Sequence, residues 1–211
     1  NDTYNGHLKE WHKANIQRSP DNADTYEIQS NFLYRGGFTH ACVDIVEETI
    51  YDIMGVDITS SYPYVMTQKV FPTQFEKVGT VTEERVNKDI SEGRVSIFIA
   101  EFSDLKSTGL HSIESKSKCL YLSPTATIDN GRVYFAEKVT VYLTSFDWQN
   151  YQHFYTWKGE AKITAYEVSE TRHLYKHLAQ PMLKYYLAKA ELKASHQPYA
   201  IQKAKVNSFT G

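Results

Sequence analysis

The sequence has no long hydrophobic run and almost no cysteine. No apolar stretch approaches the roughly 18 residues that a membrane-spanning helix needs, and the N-terminus has no basic region followed by an apolar one. We therefore expect no membrane contact. The two cysteines, Cys42 and Cys119, lie far apart, with no second cysteine or histidine at metal-ligand spacing. Both are predicted to be free thiols, as in the reducing cytoplasm.

The chain also lacks a large excess of charge of either sign. Its net charge of −2 argues mildly against nucleic acid as a partner, because proteins that bind it usually carry a basic patch. The distribution is uneven, however, and one acid, Glu191, stands against seven bases between residues 172 and 206. These bases are Arg172, Lys176, Lys184, Lys189, Lys193, Lys203 and Lys205. Positive charge thus gathers towards the C-terminal end.

What the sequence does contain is apolar and aromatic material for a core. Hydrophobic residues make up 41% of the 211 residues, with 16 Tyr and 10 Phe, which indicates a mixed α+β fold. Apolar runs between turn signals predict strands at residues 75–82, 95–102, 120–122, 127–128, 133–135, 138–143 and 161–168. The segment Asp129-Asn130-Gly131 predicts a hairpin turn. The polar stretch 103–118 predicts a mobile loop.

Helical patterns occupy the remaining segments. They predict helices at residues 64–69, 83–92 and 172–193, and a further helix that begins near residue 199. Another helix is expected after Thr144, which with Asp147 forms a Thr-x-x-Asp capping pattern. The aromatic stripe that follows, from Trp148 to Tyr155, favours a core face over a binding surface.

One apolar run ends in a single carboxylate. Residues 50–58, rich in β-branched side chains, predict a strand that pairs with residues 41–51 and presents Asp57 at its end. A Ser-Ser-Tyr-Pro turn then opens a helix, in which Pro63 suits the first turn and Tyr62 faces the same space as Asp57. An ordinary strand-turn-helix is the alternative interpretation.

A second group lies on the last predicted helix. Lys203 and Asn207 are four residues apart, hence on one face, and Gly211 follows one turn later. A lysine can serve as a point charge for phosphate, and a carboxylate opposite it could hold Mg²⁺ together with substrate phosphates. Asp57 and Lys203 together would form half of a phosphoryl-transfer site.

Three motifs in order along the chain resemble the protein-primed family B DNA polymerases of phages and linear plasmids. Tyr34-Arg35-Gly36-Gly37 is similar to the Tyr-x-Gly-Gly motif. The segment from Asp57 to Pro63 resembles the palm motif Asp-x-x-Ser-Leu-Tyr-Pro, and that from Lys203 to Gly211 resembles the fingers motif Lys-x-x-x-Asn-Ser-x-Tyr-Gly. From its sequence alone, the paired glycine in the first motif favours a tight hairpin turn over a close approach of another backbone.

The resemblance implies roles for the palm and fingers residues. Asp57 and the carbonyl of Ile58 would bind the catalytic metals, two Mg²⁺ or Mn²⁺ ions in the complete enzyme. Tyr62 would stack under the deoxyribose and exclude ribonucleotides. Lys203 would neutralise the triphosphate, and Asn207 would line the nascent base-pair pocket.

Two further roles follow from the same resemblance. A second basic residue would join the triphosphate; Lys193 aligns best with it, and Lys189 is the runner-up. Tyr34, Gly36 and Gly37 would bind the template.

The same resemblance implies a domain organisation. Residues 1–30 would be a connecting segment, and 31–69 part of the polymerase palm. The β-rich residues 70–173 would be the insertion that contacts the terminal, priming protein and the duplex. Residues 174–211 would be fingers helices, truncated at Gly211. The implied partners are template-primer DNA, a deoxynucleoside triphosphate and the terminal protein.

Two departures and two absences qualify this picture. Ser61 replaces the usual leucine in a turn, and Thr210 replaces a tyrosine near the nascent base pair, which affects base selection rather than chemistry. The second metal carboxylate, in Asp-Thr-Asp, and the exonuclease acids are not within the 211 residues. We therefore expect a polymerase fragment that is inactive alone. The alternatives are a non-catalytic module that binds a terminal protein or DNA, and an unrelated α+β structural protein.

Overall fold

In the computed structural model, the chain is described over residues 31–33, 35, 37, 47–57, 61–109 and 111–207, with only the backbone described for Asn207. Five helices lie in this part: α1 Ser61–Gln68, α2 Glu83–Ser91, α3 Ser145–Phe154, α4 Lys176–Ala194 and α5 Ala200–Asn207. The strands are β1 Val70–Pro72, β2 Glu76–Val81, β3 Val95–Ser107, β4 Cys119–Leu122, β5 Thr127–Asp129, β6 Arg132–Thr144, β7 Tyr155–Thr156, β8 Lys162–Ser169 and β9 Thr171–His173. A 3-10 turn covers Lys116–Lys118, and residues 31–33 are helical. The predicted α+β fold class is confirmed, whereas the assignment to a partial polymerase palm stays a prediction.

The strands form two sheets. In the larger, seven-stranded sheet the order is β2-β8-β3-β6-β4, with β5 also paired to β6 and β7 to β3. Its longest pairing is antiparallel, between β3 and β6, and runs from Ile97 opposite Thr144 to Lys106 opposite Phe135. The smaller sheet pairs β1 with β9, also antiparallel.

The chain divides into two compact units. The first unit contains the described residues up to 37, Gly79–Arg85 and Ile97–Tyr166. The second contains the described residues between 47 and 78, Val86–Ser96 and residues 167–207.

Aromatic rings fill the core of the first unit. Phe98 and Phe102, on β3, lie 5.9 and 6.1 Å from the ring of Trp148 on α3. Tyr151, one turn along α3, stacks on Phe102 with ring centroids 5.3 Å apart. The prediction that the stripe on α3 is a core face is confirmed, since Trp148, Tyr151 and Tyr155 are all buried. Alternation on β3 and helical spacing on α3 bring these rings to one interface.

Three helices define the second unit. Both α1 and α5 pack against α4. Each contributes one buried side chain: Pro63 on α1, Met182 on α4 and Val206 on α5. As predicted, Pro63 lies in the first turn of its helix. Pro181 lies inside α4, in its second turn.

Most locally encoded elements lie where the sequence predicts them. Asn130 and Gly131 adopt φ values of 46° and 76° between β5 and β6, which is the geometry of a tight hairpin turn. The two short strands expected at residues 133–135 and 138–143 are one continuous strand, β6. The long pairing with β3 supports this strand across the boundary that the sequence suggested.

The prediction of a mobile loop over residues 103–118 is wrong. Its first five residues continue β3, where Leu105 is fully buried and Ser107 nearly so. Farther along, Glu114 is fully buried too. Polar composition misled the prediction, because hydrogen bonds from distant residues satisfy this segment, as described below.

The strand predicted at residues 50–58 is not seen in the described part, 47–57. That part contains a turn and a bend, and Asp52 has a positive φ of 57°. Ile53, Met54 and Val56 are more than three-quarters exposed. A strand needs a neighbour for its backbone groups and a surface for its apolar side chains, and no described strand pairs with this stretch. The predicted partner at 41–51 lies mostly outside the described residues.

The helix predicted from residue 172 begins later. Thr171, Arg172 and His173 form β9 opposite β1, and Tyr175 is the residue before α4. Pairing with a strand a hundred residues away overrides the local helical pattern. Within the described part, no helix is long and apolar enough to cross a membrane.

Phe102→Ala should lower the free energy of unfolding by about 3–5 kcal/mol, because it leaves a cavity against the rings of Trp148, Tyr151 and Trp157. Urea denaturation followed by tryptophan fluorescence measures this loss. The control is Phe146→Ala on α3, where the ring is 63% exposed and the expected change is within about 0.5 kcal/mol. Equal losses in the two variants would contradict the assignment of Phe102 to the core.

Candidate functional site

A fully buried carboxylate, that of Glu114, lies inside the first unit. Its Oε2 atom accepts hydrogen bonds from Nη1 of Arg35 at 2.8 Å and from the hydroxyl of Tyr151 at 2.5 Å. Nη2 of Arg35 donates to the backbone carbonyl of Tyr142 at 3.2 Å, and Nε lies 3.2 Å from Oδ1 of Asp147. One planar guanidinium therefore makes three contacts in three directions.

Asp147 also caps the helix that carries Tyr151. Its Oδ2 accepts from the backbone N–H and the hydroxyl of Thr144 at 2.9 and 2.7 Å, and its own N–H donates to Thr144 Oγ1 at 3.1 Å. This reciprocal arrangement is a capping box and confirms the predicted pattern. Because the carboxylate also pairs with Arg35, the start of α3 and the guanidinium are held together.

The backbone beside Glu114 is satisfied by a second tyrosine. The hydroxyl of Tyr155 accepts from the N–H groups of Ile113 and Glu114 at 3.1 and 3.0 Å and donates to the carbonyl of Val133 at 2.8 Å. The N–H of Val133 donates to the Glu114 carbonyl, and Arg132 Nη1 donates to the Ile113 carbonyl. All four backbone groups of residues 113 and 114 thus have partners, which is what allows a polar segment to be buried.

Burial and charge act in opposite directions on this network. Burial raises the pKa of Glu114, and the charge of Arg35 with the hydrogen bonds from Tyr151 and Arg35 only partly offsets it. Burial alone would lower the pKa of Arg35, but the carboxylates of Glu114 and Asp147 hold it above its ordinary value. Burial also raises the pKa of the Cys119 thiol to about 12, and this cysteine is free, as predicted. The other, Cys42, lies outside the described residues.

A cavity of about 500 Å³ adjoins the network. Its walls are formed by Arg35, His111, Ile113, Arg132, Asp147, Asn150, Tyr151 and Phe154. Nη1 and Nη2 of Arg35, Oδ2 of Asp147 and the hydroxyl of Tyr151 form hydrogen bonds within the protein. Among the described residues, the buried Nε of Arg35 and Oε1 of Glu114 have no hydrogen-bond partner, although that Nε lies beside the Asp147 carboxylate. We assign the engaged groups a structural role, in which they join Arg35 to the core of the first unit.

The predicted palm residues lie at the surface of the second unit. Asp57 is exposed at the end of the irregular stretch, and Tyr62, 67% exposed, lies in the first turn of α1. Ile58 lies outside the described residues. An acid and an aromatic ring that lie close together in sequence are thus both accessible from solvent, as a site for an external ligand requires.

The predicted fingers residues belong to the same unit. Lys193 is exposed near the end of α4, and Lys203 is exposed on α5. Asn207 is the last residue of α5, one turn beyond Lys203. Lys205 lies with its ammonium 5.1 Å from the ring centroid of Tyr185 on α4, a cation–π contact between these two helices.

The predicted template residues fall mostly outside the described part of the chain. Tyr34 and Gly36 are not described. Gly37 is exposed, and a Cβ atom added there would meet nothing within 4 Å, so its described surroundings leave room for a ligand. Arg35, which lies between Tyr34 and Gly36 in sequence, belongs to the buried network around Glu114.

No family model matches this chain, and neither a curated protein nor a solved structure matches it. Among the described residues, no group of three or more histidine, cysteine, aspartate or glutamate side chains is arranged to hold a metal ion. The roles that the resemblance implies therefore remain predictions.

Sequence reasoning missed both Arg35 and Glu114. Arg35 occupies the variable position of its motif, and Glu114 stands in a stretch with loop composition. One signal was available: Tyr151 and Tyr155 fall on a predicted core face, and buried tyrosine hydroxyls require polar partners. That requirement predicts a buried polar group nearby but does not identify it.

Tyr155→Phe should destabilise the first unit by about 2–4 kcal/mol, because two N–H groups and one carbonyl lose their partner. Its effect should also depend on pH. In the folded chain burial raises the pKa of Tyr155 from 10 to about 12. When unfolded, the hydroxyl ionises first, so wild-type stability is retained below pH 10 and falls by up to about 3 kcal/mol towards pH 12.

Urea titrations at pH 9 and pH 11 measure both effects. Tyr155→Phe should show a smaller fall between these pH values than the wild type. Tyr121→Phe, at an exposed tyrosine on β4, serves as the control and should keep the wild-type pH dependence. The prediction fails if Tyr155→Phe retains that full dependence.

Proposed function

We propose that this chain is part of a DNA-directed DNA polymerase of the protein-primed family B type. The observation that carries the proposal is that α1, which follows Asp57 and holds Tyr62, and α5, which holds Lys203, pack against the same helix, α4. Three short motifs in the order of this family mark the same elements. Tyr62 and Lys203 thus lie on two helices that pack against one common helix, which supports the proposal that they serve one nucleotide site.

The charges of this group suit a triphosphate. Lysines on α4 and α5 supply positive charge, and among them Lys193 and Lys203 are exposed. A lysine pairs with phosphate as a point charge. Negatively charged substrate is thus attracted to the unit that presents Asp57, although the net charge of the chain is −2.

The residues present are compatible with magnesium at Asp57. This ion is commonly held by one or two carboxylates together with substrate phosphates, and the described Asp57 is exposed and available. When bound, such ions stabilise the attacking and leaving oxygens of phosphoryl transfer. Within this chain, Asp57 with the Ile58 carbonyl would hold the metal, and Lys193 with Lys203 would hold the triphosphate. Tyr62 contacts the sugar, and Asn207 lines the base-pair pocket.

The remaining parts of the proposal concern partners and location. Residues 31–69 belong to the palm, with Tyr34, Gly36 and Gly37 on the template. Residues 70–173 form the insertion that engages a terminal protein, and 174–211 belong to the fingers. The exposed apolar residues 50–56 gain a strand partner in the complete palm. A phage or plasmid polymerase works in the cytoplasm of its host.

Nucleotide incorporation by the complete polymerase tests the proposal. Asp57→Asn should lower incorporation on a primed template by about a thousandfold or more, since charge at a metal site contributes several kcal/mol to the barrier. Asp129→Asn, at an exposed aspartate at the end of β5, is the matched control and should leave the rate unchanged. Full activity of Asp57→Asn, or a complete reading frame without an Asp-Thr-Asp motif, would refute the polymerase assignment and favour a binding module.

The 211 residues alone should incorporate no nucleotide with Mg²⁺ or Mn²⁺. They hold one of the two carboxylates on which a two-metal site depends. Extension of a labelled primer by the purified chain, resolved on a denaturing gel, provides the measurement. Robust extension would show that the second carboxylate is not required.

A further inference from the structure

Three flat side chains stack on one another at the junction between β9 and α4, in the second unit. The guanidinium carbon of Arg172, on β9, lies 4.3 Å from the ring centroid of Tyr175. The ring of His177, in the first turn of α4, lies 5.5 Å from that of Tyr175 at an interplanar angle of 21°. All three residues are exposed, and Tyr175 is 49% exposed. Together they form the Arg172–Tyr175–His177 stack.

Regular structure holds the stack on both sides of Tyr175. Arg172 lies opposite Phe71 in the pairing of β9 with β1, and His177 is the second residue of α4. The side chain of Tyr175 makes no capping hydrogen bond to the helix that it precedes. Its ring is therefore oriented by its two flat neighbours. A ligand that stacks here loses less affinity to the ordering of side chains, because they are already ordered.

Positive charge accompanies the stack. Arg172 belongs to it, and Lys176 directly follows Tyr175. No aspartate or glutamate occurs between residues 171 and 190. The acid just before this stretch, Glu170, is paired with Nε of Arg94 at 2.9 Å. The stretch therefore offers flat surfaces together with positive charge, the combination with which proteins bind the bases and the backbone of a single strand.

We propose that the Arg172–Tyr175–His177 stack binds an unpaired base of single-stranded DNA, with Lys176 at an adjacent phosphate. Tyrosine, histidine and the guanidinium of arginine are side chains on which unpaired bases stack. Every base has a flat face, so the stack accepts any of them. The choice of DNA over RNA rests on the proposed function, whereas the stacking itself uses neither Asp57 nor Lys203.

Two other roles of these side chains make different predictions. If the stack only joins β9 to α4, removal of the tyrosine ring changes stability and leaves DNA binding as it is. If the stretch attracts DNA by charge alone, a strand without bases binds as tightly as one with them. Stacking alone requires both the ring of Tyr175 and the bases of the strand.

Fluorescence anisotropy of the 211-residue chain with labelled strands separates these cases. The probes are oligothymidylate and an abasic strand of the same length, which has the same phosphates without the bases. The wild type should bind oligothymidylate about tenfold more tightly, as expected for one stacked base. Tyr175→Ala should abolish this preference by weakening only the binding of oligothymidylate. Tyr175→Phe keeps the ring and should retain the preference.

Three further variants complete the test. Lys176→Ala should weaken the binding of both strands alike and reduce its salt dependence, because it removes a phosphate contact. Tyr121→Ala removes a tyrosine of similar exposure, 48%, from β4 and should bind as the wild type does. His177→Ala shortens the stack and should lower the preference for oligothymidylate, which keeps the test valid if Tyr175→Ala loses its helical circular dichroism signal.

Equal binding of the two strands by the wild type, or an unchanged preference in Tyr175→Ala, would refute the stacking role. Absence of binding to both strands would refute it as well. The proposed function survives each of these results, because Asp57→Asn tests it separately through incorporation. Full activity of Asp57→Asn would refute the polymerase assignment and leave the preference for oligothymidylate in place.

Discussion

The buried carboxylate of Glu114 is the constraint on which the first unit depends. A charged or polar group without solvent must find its partners inside the protein, and here they come from far along the chain. Arg35 lies 79 residues before Glu114, and Tyr151 lies 37 residues after it. Because these three side chains bond to one another, they hold Arg35, the stretch before β4 and the helix α3 in a single arrangement. Burial of apolar rings supplies stability, but this network supplies the specific geometry.

The sequence predicts well those parts of the fold whose cause is local. The hairpin at Asn130-Gly131 follows from the ease with which those two residues adopt positive φ. The start of α3 follows from Thr144 and Asp147, which cap the helix within three residues. The core face of α3 follows from helical spacing of aromatic residues. Each of these features requires interactions within one turn or one face of an element.

The predictions that are wrong concern segments whose structure depends on residues far away in the sequence. The stretch around Glu114 has loop composition, yet it is buried and bonded to Tyr151 on α3 and Tyr155 on β7. The run at residues 50–58 has strand composition, yet its described part lacks a neighbouring strand and is exposed. Arg172 has helical neighbours, yet it pairs with β1. In all three, a contact between residues far apart in sequence, or the lack of one, outweighs local propensity. Such contacts leave no periodic trace in a single sequence.

The candidate site combines both kinds of information. Spacing alone predicts that Lys203 and Asn207 share a helix and that Tyr62 opens one after Asp57, and both elements exist. Their packing against α4 could not be predicted, because it depends on the surfaces of three helices together. For the same reason, the contacts of Arg35, which stands at the variable position of its motif, could not be predicted from the motif. A motif describes the residues that touch a ligand, and it leaves free the positions that touch the rest of the protein. The residues at those positions depend on the core of the particular protein. Arg35 can therefore be explained only together with Glu114, Asp147 and the carbonyl of Tyr142, the groups that its guanidinium contacts.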